Sequence, residues 1–219
     1  MKILVTGGAG YIGAVTAHEL VKAGYEVVVF DNLQHGDRHR IDGMDLVVGD
    51  TTNFDLISQT LRSYHIEAVI HFAAWIEMGE SMQDPGKYFY NNVYGTLQLL
   101  NAMVSERVDK LVFSSTAGVY GNPIKIPIAE DDPQNPLNPY GESKLIVEKM
   151  LRWFSEIHNL RSIAIRYFNA AGALPEGKLG ESHDPESHLI PNIMKAVLED
   201  REFTLFGDDY NTPDGTCVR

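Results

Sequence analysis

In the segment PYGESK, residues 139–144, a tyrosine and a lysine stand four positions apart. At the start of a helix that spacing sets Tyr140 and Lys144 on one face, a turn from each other. An ammonium close to a phenol favours the phenolate, lowering the tyrosine pKa from about 10 and making it a base for a substrate hydroxyl. With ten tyrosines in the chain, Tyr-x-x-x-Lys alone can arise by chance. The pair gains weight from SSTAGVYG (114–121), which follows an apolar strand-like run. There Ser115 or Thr116 can offer a hydroxyl to the same substrate oxygen, although turn capping would also explain these residues.

A second chemical feature lies at the N-terminus. TGGAGYIG (6–13) satisfies both Gly8-x-Gly10-x-x-Gly13 and Gly7-x-x-Gly10-x-x-Gly13 between a short strand and a helix. Such a turn lets a pyrophosphate approach the backbone while the helix N-terminus faces its charge. Asp31 closes the next strand, about 20 residues on, where a carboxylate accepts from ribose hydroxyls and repels a 2′-phosphate. The cofactor expected is therefore NAD rather than NADP. Asp50, in VVGD, fits a position near the adenine or an ordinary turn. The strand ends HFAA (71–74) and FSS (113–115) mark the sheet edge where ligands bind, with His71 read as a packed strand residue rather than a catalyst.

The elements that must hold these residues alternate. Strands are expected at 2–6, 26–30, 46–49, 68–74, 110–115 and 162–168, with helices between them, including 87–104 and 140–158. That rhythm specifies an α/β fold, a doubly wound parallel sheet of the Rossmann type. Beyond residue 168 a Gly- and Pro-rich loop, a helix over 189–200 and a strand FTLF (203–206) form a smaller region with too few apolar residues for its own core. The organisation expected is a cofactor domain over 1–168 and a partial substrate region over 169–219. HDPESH (183–188) reads as a polar loop, with no metal expected.

Composition sets the limits. The 219 residues are 44% hydrophobic and 22% charged, as in ordinary globular proteins, with a net charge of −12 that disfavours nucleic acid and anionic lipid. No apolar run approaches the roughly 20 residues of a membrane span, and MKILV leaves no room for a signal peptide. Cys217 is the only cysteine and receives no role; a cytoplasmic protein acting on a small molecule is expected.

TGGAGYIG, FDNL, HFAA followed by GES, NNVYGT, SSTAGVYG, PYGESK, RYFNAAGA, HLIPNIM and FGDDYNTPDGTCVR occur in the order found in the extended short-chain dehydrogenase/reductase superfamily. Within it the chain resembles, over its whole length, the UDP-glucose 4-epimerases, also called UDP-galactose 4-epimerases. That resemblance implies NAD-dependent inversion at C4 of a UDP-hexose, by transient hydride transfer to bound NAD through a 4-keto sugar. It implies that Thr116, Tyr140 and Lys144 are catalytic. Cofactor contacts would come from Gly7, Gly10, Tyr11, Ile12, Gly13, Asp31, Asn32, Asp50, Thr51, Phe72, Ala73, Ala74, Asn91, Ser114, Tyr140, Lys144, Tyr167 and Phe168. Thr116, Tyr140, Asn169, Leu189, Phe206 and Arg219 would contact substrate, Arg219 pairing with the diphosphate.

The resemblance also implies that this chain corresponds to roughly the first two thirds of a family member. Ala14-Val15 and Ile76 depart from the family pattern near the cofactor. Thr116 is followed by Ala117-Gly118, where nucleotide-sugar 4,6-dehydratases carry acids, so elimination lacks its proton carriers. A noncatalytic NAD-binding module is the alternative of a different class. The helices 87–104 and 140–158 are apolar around more of their circumference than one sheet face covers, and in the family they form a homodimer bundle.

Overall fold

A computed structural model describes residues 1–177, 179–182, 186, 188–205 and 207–216. It divides into two compact units, Met1–Tyr167 and Phe168–Arg219.

The first unit is a parallel sheet of six strands, β1 (Lys2–Thr6), β2 (Glu26–Asp31), β3 (Asp45–Val48), β4 (Ala68–His71), β5 (Lys110–Thr116) and β6 (Arg161–Tyr167), in the order β3-β2-β1-β4-β5-β6. This is the doubly wound order, with its switch point between β1 and β4. The strands β1 and β2 are nearly continuous apolar runs because helices cover both faces. Register places Thr6 beside Phe30 and His71, and His71 beside Phe113, so one row crosses the sheet beneath its carboxyl edge.

Helices α1 (Tyr11–Lys22), α2 (Phe54–Ser63), α5 (Gly95–Glu106) and α6 (Pro139–His158) supply the flanking layers, with short turns α3 (Met78–Ser81) and α4 (Pro85–Tyr88) leading into α5. The long helix α6 is well specified. Asn138 caps it by accepting from Gly141 N–H at 2.8 Å, Pro139 occupies its first turn, and Asn159 ends it in the left-handed conformation. The main core joins Leu4, Phe30, Ile57, Leu99, Phe113 and Leu151 from both structural layers.

Four expected elements differ, the last of them the second unit's helix, described below. The fourth strand stops at His71 rather than Ala74, because Phe72–Ala74 turn away after Phe72 N–H donates to Thr6 O at 2.9 Å. The helix expected over 87–104 is interrupted by a π-helical turn, Phe89–Tyr94, that precedes α5. Such turns interrupt regular helices often at functional positions. Residues 203–205 of the expected strand FTLF pair with no strand among the described residues, and Phe206 lies outside them. An isolated strand without a partner gains nothing from its extended backbone.

The second unit, taken by itself, contains an antiparallel bridge between Ala173 and Gly180 and the helix α7 (Leu189–Leu198), which ends two residues before the expected boundary. Of α7 only Ala196 is buried.

Leu99 is fully buried in the main core. Leu99→Ala is expected to lower the unfolding free energy by about 2–5 kcal/mol, the usual cost of a buried leucine plus the cavity it leaves. Urea denaturation of the variant beside the parent chain measures it; a change below about 1 kcal/mol would mean that this core collapses around the deletion.

Candidate active site

The glycine turn is built by contact. Gly7 has φ +68°, and a Cβ there would meet Ala73 N at 2.6 Å, so the turn packs directly on the backbone that follows β4. A Cβ on Gly13 would strike the Gly7 carbonyl, which lets α1 begin hard against the turn. Gly10 is the N-cap, no side chain caps that end, and its first turn contains no acidic residue. Nothing on α1 therefore offsets the positive end of its dipole, which lies where Tyr11 and Ile12 open the helix.

Asp31 is buried, and each carboxylate oxygen already holds a backbone donor: Oδ2 accepts from Ala9 N–H at 3.0 Å and Oδ1 from Leu33 N–H at 2.8 Å. Each oxygen retains a second lone pair, so Asp31 ties the glycine turn to β2 and still offers acceptors to a diol. Asn32 donates to Asp50 Oδ2 at 3.0 Å, while Asp50 Oδ1 accepts from the Thr52 N–H and hydroxyl. Burial raises the Asp50 pKa, but these bonds from Thr52 and Asn32 outweigh it and hold the carboxyl below its ordinary range. The buried Thr51 hydroxyl abuts the start of α5 at Gly95.

Sequence reasoning singled out Asn91 and passed over Asn92. Asn92 is buried, with Oδ1 accepting from Trp75 N–H at 2.9 Å and Nδ2 donating to Trp75 O at 3.0 Å and Ser143 Oγ at 3.1 Å. Asn91 Nδ2 also donates to Asn92 Oδ1 at 2.9 Å. This amide clamps the loop after β4, which contains Phe72, Ala73 and Ala74, to α6 between Tyr140 and Lys144. The available signal was a polar side chain inside the otherwise apolar NNVYGTLQLL stretch. Ile76, by contrast, is exposed.

Thr116, Tyr140 and Lys144 are brought together at the ends of β5 and α6. Lys144 Nζ donates to Ser114 O at 2.8 Å, 5.9 Å from the Tyr140 ring centroid. The Thr116 hydroxyl lies close enough to Tyr140 to favour the ionised phenol, and Thr116 Oγ1 accepts from Gly118 N–H at 3.1 Å. Strand alternation sends Ser115 to the opposite face, where its hydroxyl donates to Glu148. Of the two candidate hydroxyls, only that of Thr116 thus meets the tyrosine.

Electrostatics differ from the sequence expectation. Burial pushes the Tyr140 phenol up, only partly offset by Thr116. Burial also pulls the Lys144 amine down to about 7, so near neutrality this group is only part charged and stabilises a phenolate weakly. His71 is packed as expected. Thr96 donates its hydroxyl to Asn92 O, so it accepts from His71 Nε2–H, leaving Nδ1 to accept from Thr6. Burial first, and the Lys144 charge second, lower the His71 pKa to about 3.

Tyr167 ends β6, half-buried, its phenol raised by burial. Phe168, Asn169 and Leu189 fall in the second unit, all three exposed. Phe206 and Arg219 lie outside the described residues, as do Cys217 and most of HDPESH. His188 Nδ1 lies 3.0 Å from a carboxylate oxygen of both Glu181 and Glu186, so two acids and an imidazole converge there.

The lowered Lys144 pKa predicts a pH dependence. Between about 7 and the ordinary 10.5 the unfolded chain holds a proton that the folded chain lacks, so stability rises with pH through that window. Relative to Lys144→Met, the parent chain should gain up to about 1.4 kcal/mol per pH unit there. Urea midpoints at several pH values measure the difference, and a flat difference would place the amine in water.

The family model described as "NAD dependent epimerase/dehydratase family" matches residues 3–219. The UDP-glucose 4-epimerase of Halalkalibacterium halodurans is 50% identical over 220 residues, covering 100% of this chain and 66% of that relative. That of Lactobacillus helveticus is also 50% identical, covering 100% of this chain and 67% of the relative. Among solved structures, UDP-glucose 4-epimerase from Brucella ovis in complex with NAD superposes with a TM-score of 0.94 at 48% identity, covering 99% of this chain and 67% of that one. The Bifidobacterium longum UDP-glucose 4-epimerase in complex with NAD+ and UDP gives 0.92 at 38% identity, covering 99% and 68%. The chain thus spans about two thirds of the length of the relatives it matches, and it belongs to the NAD dependent epimerase/dehydratase family.

Proposed function

We propose that this chain binds NAD in its first unit and carries the reacting residues of a UDP-hexose 4-epimerase, interconverting UDP-glucose and UDP-galactose. The observation that carries the reading is the meeting of Thr116, Tyr140 and Lys144 at the carboxyl edge of a sheet whose switch point bears the glycine turn. Residues 1–168 form the cofactor domain in this reading, and 169–219 belong to the substrate region, with Asn169, Leu189, Phe206 and Arg219 as its sugar-nucleotide contacts.

The residues present fit NAD. The α1 end would take the pyrophosphate, Asp31 retains lone pairs that would accept from a ribose diol, and Asn32, Asp50 and Thr51 would border the adenine side. NAD, when bound, supplies the hydride acceptor that makes C4 of the sugar temporarily planar. Tyr140 takes the proton of the 4-hydroxyl and returns it, with the Thr116 hydroxyl beside the phenol to offer a hydrogen bond to the same substrate oxygen. Lys144 supports the phenolate only when charged, so polar ligands that add acceptors near its nitrogen would raise its pKa and switch on that support. Inversion needs the planar sugar to present its other face to the same groups, and this requires room and no further acid. Thr116 instead leads into the 3-10 turn Ala117–Tyr120, leaving no proton carrier for elimination.

Copies of the chain pair in this reading through the π turn, α5 and α6. Tyr90 and Tyr94 stack on each other at 5.2 Å, and Trp153 and Ile157 stand one turn apart on α6, all four exposed. The protein works in the cytoplasm on this view; no helix among the described residues is long and apolar enough to cross a membrane.

Calorimetric titration and a coupled assay of UDP-galactose conversion test the function. Expected are NAD binding in preference to NADP, turnover, and a loss of 10²–10⁴-fold in kcat for Tyr140→Phe, the usual range for a missing acid–base group. NAD binding without turnover would leave a cofactor-binding module, and absence of NAD binding would overturn the reading. For assembly, sedimentation should show a dimer that Trp153→Glu/Ile157→Glu converts to monomer; an unchanged mass in the variant would remove that face from the interface.

A further inference from the structure

Behind Tyr140 and Lys144, on the same face of α6, stands an acid that the reaction itself does not use. Glu148 follows Lys144 by four residues, as Lys144 follows Tyr140, so the three share one helical row. Its carboxylate takes Arg166 in a two-point grip, Nε to Oε1 at 3.0 Å and Nη2 to Oε2 at 2.6 Å. The pair is largely out of water, with side-chain exposures of 19% for Arg166 and 11% for Glu148.

The pair also reaches the strand that carries the other half of the site. Ser115 donates its hydroxyl to Glu148 Oε1 at 2.5 Å, and Ser115 is the register partner of Arg166 across β5 and β6. Its neighbours on either side are the residues that meet the reacting pair: Ser114, whose carbonyl holds Lys144 Nζ, and Thr116, which meets Tyr140. From its other edge Arg166 donates to Tyr120 OH at 2.5 Å and Glu130 O at 2.9 Å, with the guanidinium 4.8 Å from the Tyr120 ring centroid. Arg166 is thereby tied to the turn that begins at Thr116. Four segments, α6, β5, β6 and the turn after β5, are fastened at one guanidinium.

We propose that Glu148 and Arg166 are positioning residues, fixing the height of α6 along β5 so that the Tyr140 hydroxyl meets Thr116 and Lys144 Nζ meets the Ser114 carbonyl. The geometry is specific. Ser115 lies between Ser114, whose backbone carbonyl holds Lys144 Nζ, and Thr116, so one anchor on the Ser115 side chain bears on both neighbouring positions of β5. Planarity matters as well, because a lysine in place of Arg166 keeps the charge but cannot make the parallel two-point contact and reach Tyr120 together. This inference rests on the reading of Tyr140 and Lys144 as the reacting pair, but its physical content, the placement of Lys144, can be measured without turnover.

The test compares three variants of the full chain, Glu148→Gln, Arg166→Lys and the double Glu148→Met/Arg166→Met. Removing one partner of a buried pair destabilises, whereas an apolar pair of similar volume often restores stability, so the double variant separates folding from positioning. The readout is NMR of the chain labelled at lysine Cε, with the Lys144 signal assigned by Lys144→Met. Burial should set the parent's Lys144 midpoint near 7. Expected in all three variants is an upward shift of that midpoint, as the amine loses its fixed, dry place, together with a melting temperature near the parent's in the double variant. Where the parent chain turns over UDP-galactose, kcat should fall ten-fold or more while KM changes little. A double variant that melts like the parent and keeps both its Lys144 titration and its kcat would reduce the pair to a structural bridge and overturn the proposal. An inactive parent with a normal Lys144 titration would count against the epimerase reading alone, since the positioning claim would still be decided by the variants.

Discussion

A buried amine with one strong acceptor, Lys144 Nζ on the carbonyl of Ser114, is the constraint around which the first unit is organised. An ammonium there has little water to lean on, so the site must bring it neutral or bring it partners. The fold does the first. The amine is pulled toward neutrality by burial, His71 beneath the same edge is held neutral by burial first and the neighbouring Lys144 second, and burial favours the protonated Tyr140 phenol. Three titratable groups within one stretch of sheet edge thus share a preference for the uncharged form.

That preference has a mechanistic consequence. A site that were permanently charged would hold water tightly and gain little from a substrate. One whose buried groups favour the neutral form binds water less tightly, and its lysine gains charge only where polar partners compensate the burial. The sequence expectation that lysine alone activates the tyrosine treated the two as if in water. Burial changes the order of events, because desolvation acts on both members of the pair and a half-charged amine 5.9 Å from the ring centre cannot offset it.

How much of this was legible in the residues varies with the range of the interaction. The strands and the parallel sheet followed from apolar runs alternating with amphipathic segments, because a sheet covered on both faces leaves that imprint in local composition, whereas the order of the strands is not written there. The glycine turn was legible for the same reason: a φ of +68° at Gly7 and a backbone contact at Gly13 admit almost no other residue. Tyr140 and Lys144 were legible through helical spacing. Asn92 and the π turn were not, since a buried amide that bonds Trp75 and Ser143 has partners 17 and 51 residues away and no local period betrays it. The choice between Ser115 and Thr116 was also closed to sequence alone, because it hangs on the register that gives Ser115 to Glu148 and leaves Thr116 beside Tyr140. The strand at 203–206 failed because β propensity describes a segment's fitness to pair, not the presence of a partner.

The contrast between Asp31 and Glu148 shows why carboxylates of one chain carry different meaning. Asp31 accepts two backbone N–H groups and keeps spare lone pairs beside an open helix end, so its charge remains available to a ligand. Glu148 spends its oxygens on a guanidinium and a serine hydroxyl, and its charge is consumed inside the protein. Motif reading finds the first kind because a ligand fixes its spacing from the glycines. The second kind is fixed only by the register between a helix and a strand, here Ser115 against Arg166 with Glu148 above them, and becomes visible once that register is known. Residues of this second sort set the tolerance with which the first can act: a displacement of about 1 Å in a reacting group costs on the order of 10²-fold in rate, and in this fold the sliding of α6 along β5 is the motion that would produce it.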